Sequence, residues 1–204
     1  MKKKIYKMIK KVVIFHYRKR KPNKIRNSNF TILTNTCVGG FIYHYLGMQF
    51  LSPTINIWMG EEDFLKFSLN LTYYVKSELQ LVKYADGVDC KYPICSLSDL
   101  VIHFKHCDSF DKARDEWNRR KERINYKNLY FICMLDNDHV INREVEERIK
   151  QNFNNYCFFT KNLKKQRYFK MKKREWYQSD IFGIKQFEKK FNYIKFLNKT
   201  RQVL

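Results

Sequence analysis

The first 28 residues contain no acid, yet they hold 12 Lys and Arg. Proline and glycine are scarce throughout, at 3 and 6 in 204 residues, so long flexible linkers are not expected. No apolar run near the start approaches the ~20 residues that cross a bilayer; the longest is Val12–Phe15. A secretory leader needs an apolar stretch of roughly 7–15 residues, so the lysine-rich start is not read as one. The six cysteines form no C-x-x-C pair. Cys90 and Cys95 enclose four residues, but a matching second pair is missing, so no zinc site is expected. The simplest reading is a reduced, cytosolic chain.

What is present is core material. The hydrophobic fraction is 44% and the aromatic fraction 17%, which excludes global disorder. The net charge of +21 suggests a nucleic-acid binder until it is divided along the chain. Residues 1–28 carry +12, residues 29–160 carry −2, and residues 161–204 carry +11. The middle is nearly neutral, which argues against a basic groove through the body. Two basic ends instead suit an anionic surface, either membrane or nucleic acid. Lys, Asn, Ile, Phe and Tyr are all abundant, as in A/T-rich coding, and that bias alone raises the lysine count.

Periodicity gives the expected elements. Ile5, Met8, Ile9, Val12 and Phe15 mark a basic amphipathic helix, either laid in a headgroup layer or packed on the domain. Residues 1–28 are therefore an amphipathic extension and linker. Residues 29–204 are an α/β domain, with a split into two small lobes near residue 100 left open. Strands are expected at Phe30–Thr34, Thr54–Trp58, Leu100–Phe104, Asn128–Leu135 and Tyr156–Thr160. Helices are expected at Phe41–Leu46, from Gly60 to Leu79, from Asp108 to Ile124, around Ile141–Phe153, and in the tail from Ile181. Alternating strands and helices indicate an α/β fold. The near-continuous apolar runs indicate a mixed, largely parallel sheet flanked by helices.

Four constellations could carry chemistry. The first is the turn Asn35, Thr36, Cys37, Gly39 and Gly40 after the first strand. Ligands of open α/β sheets sit beyond strand C-termini, and glycines let backbone N–H groups approach an anion. It matches neither a Walker loop nor G-x-G-x-x-G. A tight corner is the competing reading. Cys37 as a nucleophile needs a base, and none lies nearby in sequence. The second is His103, a general base if it meets an acceptor hydroxyl, otherwise a hydrogen-bonded structural residue. His106 and Cys107 follow it, but their spacing does not bring the three side chains together on a metal. The third is Trp117, Arg119 and Arg120 on one helix, able to fork a diphosphate or to pair with a protein acid. The fourth is Asp136 and Asp138 after an apolar strand. They resemble the D-x-D of metal-dependent glycosyltransferases, where a divalent ion such as manganese or magnesium bridges to the donor. D-x-D is also common in turns. The basic aromatic tail around Trp176 and Tyr177 suits either stacked bases or a membrane interface.

The ordered set "TNTCVGGFIYHYLGMQFLSPTINIWMGEEDFLKF", "IHFKHCDSFDKARDEWNRRKERIN", "CFFTKN" and "FNYIKFLN" resembles the bacterial family called domain of unknown function nineteen-nineteen. The resemblance spans about residues 29–198. Members often carry an aromatic residue after the cysteine, where this chain has Val38. Members are often labelled exopolysaccharide or capsular polysaccharide biosynthesis proteins. The resemblance therefore implies an α/β protein of that pathway, peripheral on the inner membrane face. The resemblance gives a pathway and not a reaction; with the four constellations, the expected activity is transfer of a sugar or other substituent from an activated donor, such as a nucleotide sugar, to a glycan acceptor. A non-catalytic scaffold of the same machinery is the alternative, and a nucleic-acid binder fits the neutral middle least.

Overall fold

The computed structural model describes residues 24–87, 91–135, 141–160, 168–170 and 191–199. The expected N-terminal helix, Asp136, Asp138, Trp176, Tyr177 and the tail positions Ile184 and Phe187 lie outside these residues.

The strands are β1 Thr31–Thr34, β2 Trp58–Met59, β3 Leu79–Asp86, β4 Lys91–Leu97, β5 Leu100–His103, β6 Leu129–Met134, β7 Asn155–Thr160 and β8 Tyr168–Lys170. The helices are α1 Val38–Leu46, α2 Glu61–Leu69, α3 Leu71–Lys76, α4 Phe110–Lys121, α5 Arg143–Asn152 and α6 Tyr193–Asn198. They build an α/β fold around two four-stranded sheets. The first has the order β1-β6-β7-β8 and every pairing is parallel. The second has the order β2-β5-β4-β3 and every pairing is antiparallel. The expectation of one largely parallel sheet is corrected accordingly: half the strands are antiparallel, and they form a separate layer.

Both faces of the parallel sheet are covered. Ile32, Tyr130, Ile132 and Phe159 face α1 and α6, where Val38, Ile42, Phe196 and Leu197 pack. Leu33, Phe131, Cys133 and Phe158 face the other way. They join Phe64 and Phe67 of α2, Trp117 of α4, Ile149 of α5, and Cys95, Leu97 and Ile102 of the second sheet. Successive side chains of a strand point to opposite faces. A strand buried on both faces therefore reads as an unbroken apolar run, as β6 and β7 do.

Local chemistry sets the helix ends. The Ser109 side chain accepts from the Lys112 N–H and opens α4, and Asn142 does the same for Glu144 at α5. Glu61, Glu62 and Asp63 sit at the positive end of α2. Gly47, at φ 66°, closes α1 in the left-handed region. Three expected elements differ. The single helix after Gly60 breaks at Asn70, whose carbonyl receives Tyr73 and Tyr74. The strand expected at Thr54–Trp58 shrinks to Trp58–Met59, because Asn56 turns through φ 63°. The helix expected from Phe41 begins at Val38, so both glycines are helical.

Candidate functional site

The strands β1 and β6 are adjacent and parallel, and the helices after them, α1 and α5, lie on opposite faces of the sheet. Such a switch opens a crevice beyond the strand C-termini, where α/β proteins place ligands. The turn Asn35–Cys37 stands at this point.

Asn35 is buried and both its amide atoms are bonded. Its Nδ2 donates to the Met134 carbonyl at 2.9 Å, and its Oδ1 accepts from the Met134 N–H at 2.9 Å. Its own carbonyl accepts from Met59 N–H at 3.4 Å. One residue thus ties β1 to β6 and to the second sheet, extending the ladder past the last strand pair. Thr36 donates its N–H to Thr34 Oγ1 at 3.3 Å, and the Thr34 N–H goes to Thr54 Oγ1 at 3.0 Å.

The glycines serve packing. A Cβ on Gly39 would lie 2.8 Å from Thr34 Cγ2 and 3.0 Å from Ile55 Cδ1. One on Gly40 would lie 3.2 Å from both Asn56 Oδ1 and Ile55 Cγ2. Their smallness lets α1 settle onto β1 and the loop at Ile55. Cys37 is the N-cap of α1 and makes no side-chain cap bond. The first intrahelical donor is the Phe41 N–H, to the Cys37 carbonyl, so the N–H groups of Val38, Gly39 and Gly40 have no helical partner. The turn is therefore a tight corner that also presents a helix N-terminus.

A second segment meets it. The turn after β5 carries Lys105 and His106, both exposed. His106 Nε2 stands 3.5 Å from Cys37 Sγ. This is the base that local sequence did not offer, brought from 69 positions away. Burial raises the Cys37 thiol, against the opposing charge of Lys105. The group is thus held as a thiol, which suits a hydrogen-bonding wall better than a nucleophile.

His103 ends β5, where its ring meets the edge of Trp58 at 4.8 Å between centroids. Its Nδ1 lies 3.4 Å from Tyr92 Oη. Burial lowers its pKa, and the charges of Lys105 and Lys83 lower it further. The imidazole is therefore neutral at pH 7. When Nδ1–H donates to Tyr92, Nε2 carries the lone pair a general base needs. Lys105 acts on both Cys37 and His103, and its Nζ sits 4.8 Å over the Trp58 ring. The three members of His-x-x-His-Cys separate as expected: His106 meets Cys37, His103 meets Tyr92 and Trp58, and Cys107 faces Glu116 at 3.9 Å.

The α4 residues are engaged elsewhere. Trp117 is 1% exposed and lies between Phe67 and Phe104, in the core rather than on a ligand surface. Arg120 is 5% exposed. It pairs with Glu116, donates to the Ile55 carbonyl at 2.8 Å and rests over Phe50. That is the protein-acid alternative of the sequence reading, and it fastens the Ile55 loop against which Gly39 packs. Arg119 is exposed on the opposite side of the helix. Among the described residues no group of three His, Cys, Asp or Glu side chains could hold a metal. None of their helices is long and apolar enough to cross a membrane. Lys105, Tyr92 and Trp58 are the site residues that sequence reasoning missed. The only available signal was that β5 and the short β2 could pair, setting Trp58 opposite His103.

Residues 8–203 match a family described as Domain of unknown function (DUF1919). A Haemophilus influenzae protein, described as uncharacterized, is 32% identical over 184 residues. The match covers 86% of this chain and 87% of that protein.

Proposed function

We propose that this chain, which belongs to the DUF1919 family, is a transferase of capsule or exopolysaccharide synthesis. It passes a sugar or other substituent from an activated donor to a glycan intermediate, peripherally at the inner membrane face. One arrangement supports the reading: the turn after β5 reaches both the strand-end turn and His103, with Lys105 over the Trp58 ring that meets His103, and His106 3.5 Å from Cys37. A donor phosphate would sit against Lys105 and the free N–H groups of α1, where fixed dipoles and one cation favour an anion. His103 Nε2 would take the proton of an acceptor hydroxyl as that oxygen attacks the donor, and the phosphate-bearing group would leave. His106 and Cys37 would wall the donor side. A divalent ion would need Asp136 and Asp138, since the described residues supply no three-ligand set. No step here depends on it.

The test is a thermal-shift panel of UDP-, GDP- and CMP-sugars and acetyl-CoA, each with and without manganese. A donor at a hundred times its dissociation constant should stabilise the fold by about 2.7 kcal/mol. A shift with one nucleotide sugar supports the reading. Acetyl-CoA alone would redirect it to acyl transfer. Silence across the panel, in folded protein, favours a scaffold without catalysis.

A further inference from the structure

At the opposite, N-terminal end of the parallel sheet lies a cavity of about 250 Å³. Its lining includes Arg26 and Lys127 and no acidic residue. Neither cation carries an ion pair to a described acid. The rest is largely asparagine. Four of the five amides already accept a bond within the protein through Oδ1. Asn27 accepts from the Asn29 N–H, Asn125 from the Lys127 N–H, Asn128 from Asn154 Nδ2, and Asn198 from the Arg26 N–H. Their Nδ2 groups give at most one bond each to the Asn29 carbonyl, to the Lys24 carbonyl or to Asn128. An amide nitrogen has two hydrogens. The cavity thus offers spare amide N–H donors beside two cations, with no carboxylate in its lining. Such a lining selects an oxygen-rich anion. The volume is below the ~300–1,000 Å³ of pockets for drug-sized ligands, so it suits a single phosphate group.

The position says which phosphate. Asn198 of α6 donates to the Lys24 carbonyl at 2.6 Å and accepts from the Arg26 N–H at 2.9 Å. The chain therefore continues toward both termini from the rim of this cavity. Residues 1–23 add ten Lys and Arg and no acid. We propose that this cavity seats the phosphate of an anionic lipid headgroup while the basic N-terminal segment meets the surrounding surface. The proposal rests on the membrane reading above, not on the transferase reading.

The test uses the full chain with vesicles of phosphatidylcholine containing 30 mol% phosphatidylglycerol, against pure phosphatidylcholine. Partition is compared for wild type, Arg26→Gln/Lys127→Gln, and Lys76→Gln/Lys91→Gln, which removes equal charge elsewhere. Charges near an anionic leaflet contribute about 1 kcal/mol each, about a fivefold effect, so the cavity pair should lose about 25-fold. The control pair should lose less than threefold. Equal losses would mean diffuse attraction, and no loss from the cavity pair would also overturn the assignment. Failure of wild type to bind would overturn the membrane reading with it, leaving the donor panel untouched. Glycerol 3-phosphate and inorganic phosphate form the soluble arm. If either stabilises wild type but not the cavity variant, without vesicle binding, the occupant is a free phosphate and the lipid assignment fails.

Discussion

At the C-terminal end of the parallel sheet one asparagine, Asn35, joins β1 to β6 through both its amide atoms. At the N-terminal end the joining is spread over several, with Asn125 and Asn128 both donating to the Asn29 carbonyl. Concentrating the link in one residue leaves the C-terminal rim free for Cys37, Lys105, His106 and His103. Spreading it fills the other rim with amide donors. The same residue type therefore stands beside Cys37 and the two histidines at one end, and lines the other together with two cations and no acid.

Breaking the concentrated link should cost most. Asn35→Ala leaves the Met134 N–H and carbonyl without their partner. An unsatisfied buried polar group costs roughly 1–3 kcal/mol, so a loss of about 2–4 kcal/mol is expected in urea denaturation. Asn35→Asp keeps the acceptor but sets a buried carboxylate oxygen against the Met134 carbonyl, so it should cost no less. A loss under about 1 kcal/mol for the alanine variant would show that the link is not concentrated there.

Gly39→Ala tests the corner that supports the same rim. Its Cβ would meet Thr34 Cγ2 at 2.8 Å and Ile55 Cδ1 at 3.0 Å, both inside tight packing. Overpacking of this kind costs roughly 1–3 kcal/mol, read from the urea midpoint at constant slope. Gly40→Ala, with its nearest contacts at 3.2 Å, should be milder.

Asn128→Ala removes bonds at the distributed end. Asn125 still reaches the Asn29 carbonyl, so about 1–2 kcal/mol is expected, less than for Asn35→Ala. The reverse order would invert the comparison.

The pH response belongs to the C-terminal rim. His103 has its folded pKa depressed below the ordinary 6.5 by burial and by Lys105 and Lys83. The unfolded chain then binds the proton first, so this contribution is complete above pH 6.5 and is lost as pH falls toward the folded value. His103→Gln should flatten that part of a stability-pH profile, measured by denaturation from pH 8 to 5. An unchanged slope would assign the loss to other groups.

Least affected should be Arg26→Gln/Lys127→Gln, which alters exposed cations that have no ion pair to a described acid. Its stability should stay within about 0.5 kcal/mol, so any loss of vesicle binding is not unfolding.

The strands β1, β6 and β7 could be read from sequence because burial on both faces makes them continuous apolar runs. The hairpin β3–β4 could not. Most of β3 is exposed, a bulge between Leu81 and Lys83 shifts its register, and Pro93 sits within β4. Each breaks the two-residue alternation by which a strand is recognised. Missing that hairpin hid the antiparallel sheet. The turn after β1 was legible as a corner of special composition, and His103 as the end of a strand. Their neighbourhood was not, because His106 reaches Cys37 across 69 positions and Trp58 meets His103 through strand pairing. Arg120 was legible as a buried arginine needing a partner. Its choice of Glu116 and the Ile55 carbonyl depends on how α4 lies over the loop.

The proposed donor site requires Lys105 to serve both the strand-end turn and His103. The most direct measurement is the nucleotide-sugar thermal-shift panel run in parallel on wild type and Lys105→Gln. A shift with one donor is expected in wild type and largely lost in Lys105→Gln, with the unliganded melting temperatures equal. A donor shift of the same size in both proteins, or none in wild type, would contradict it.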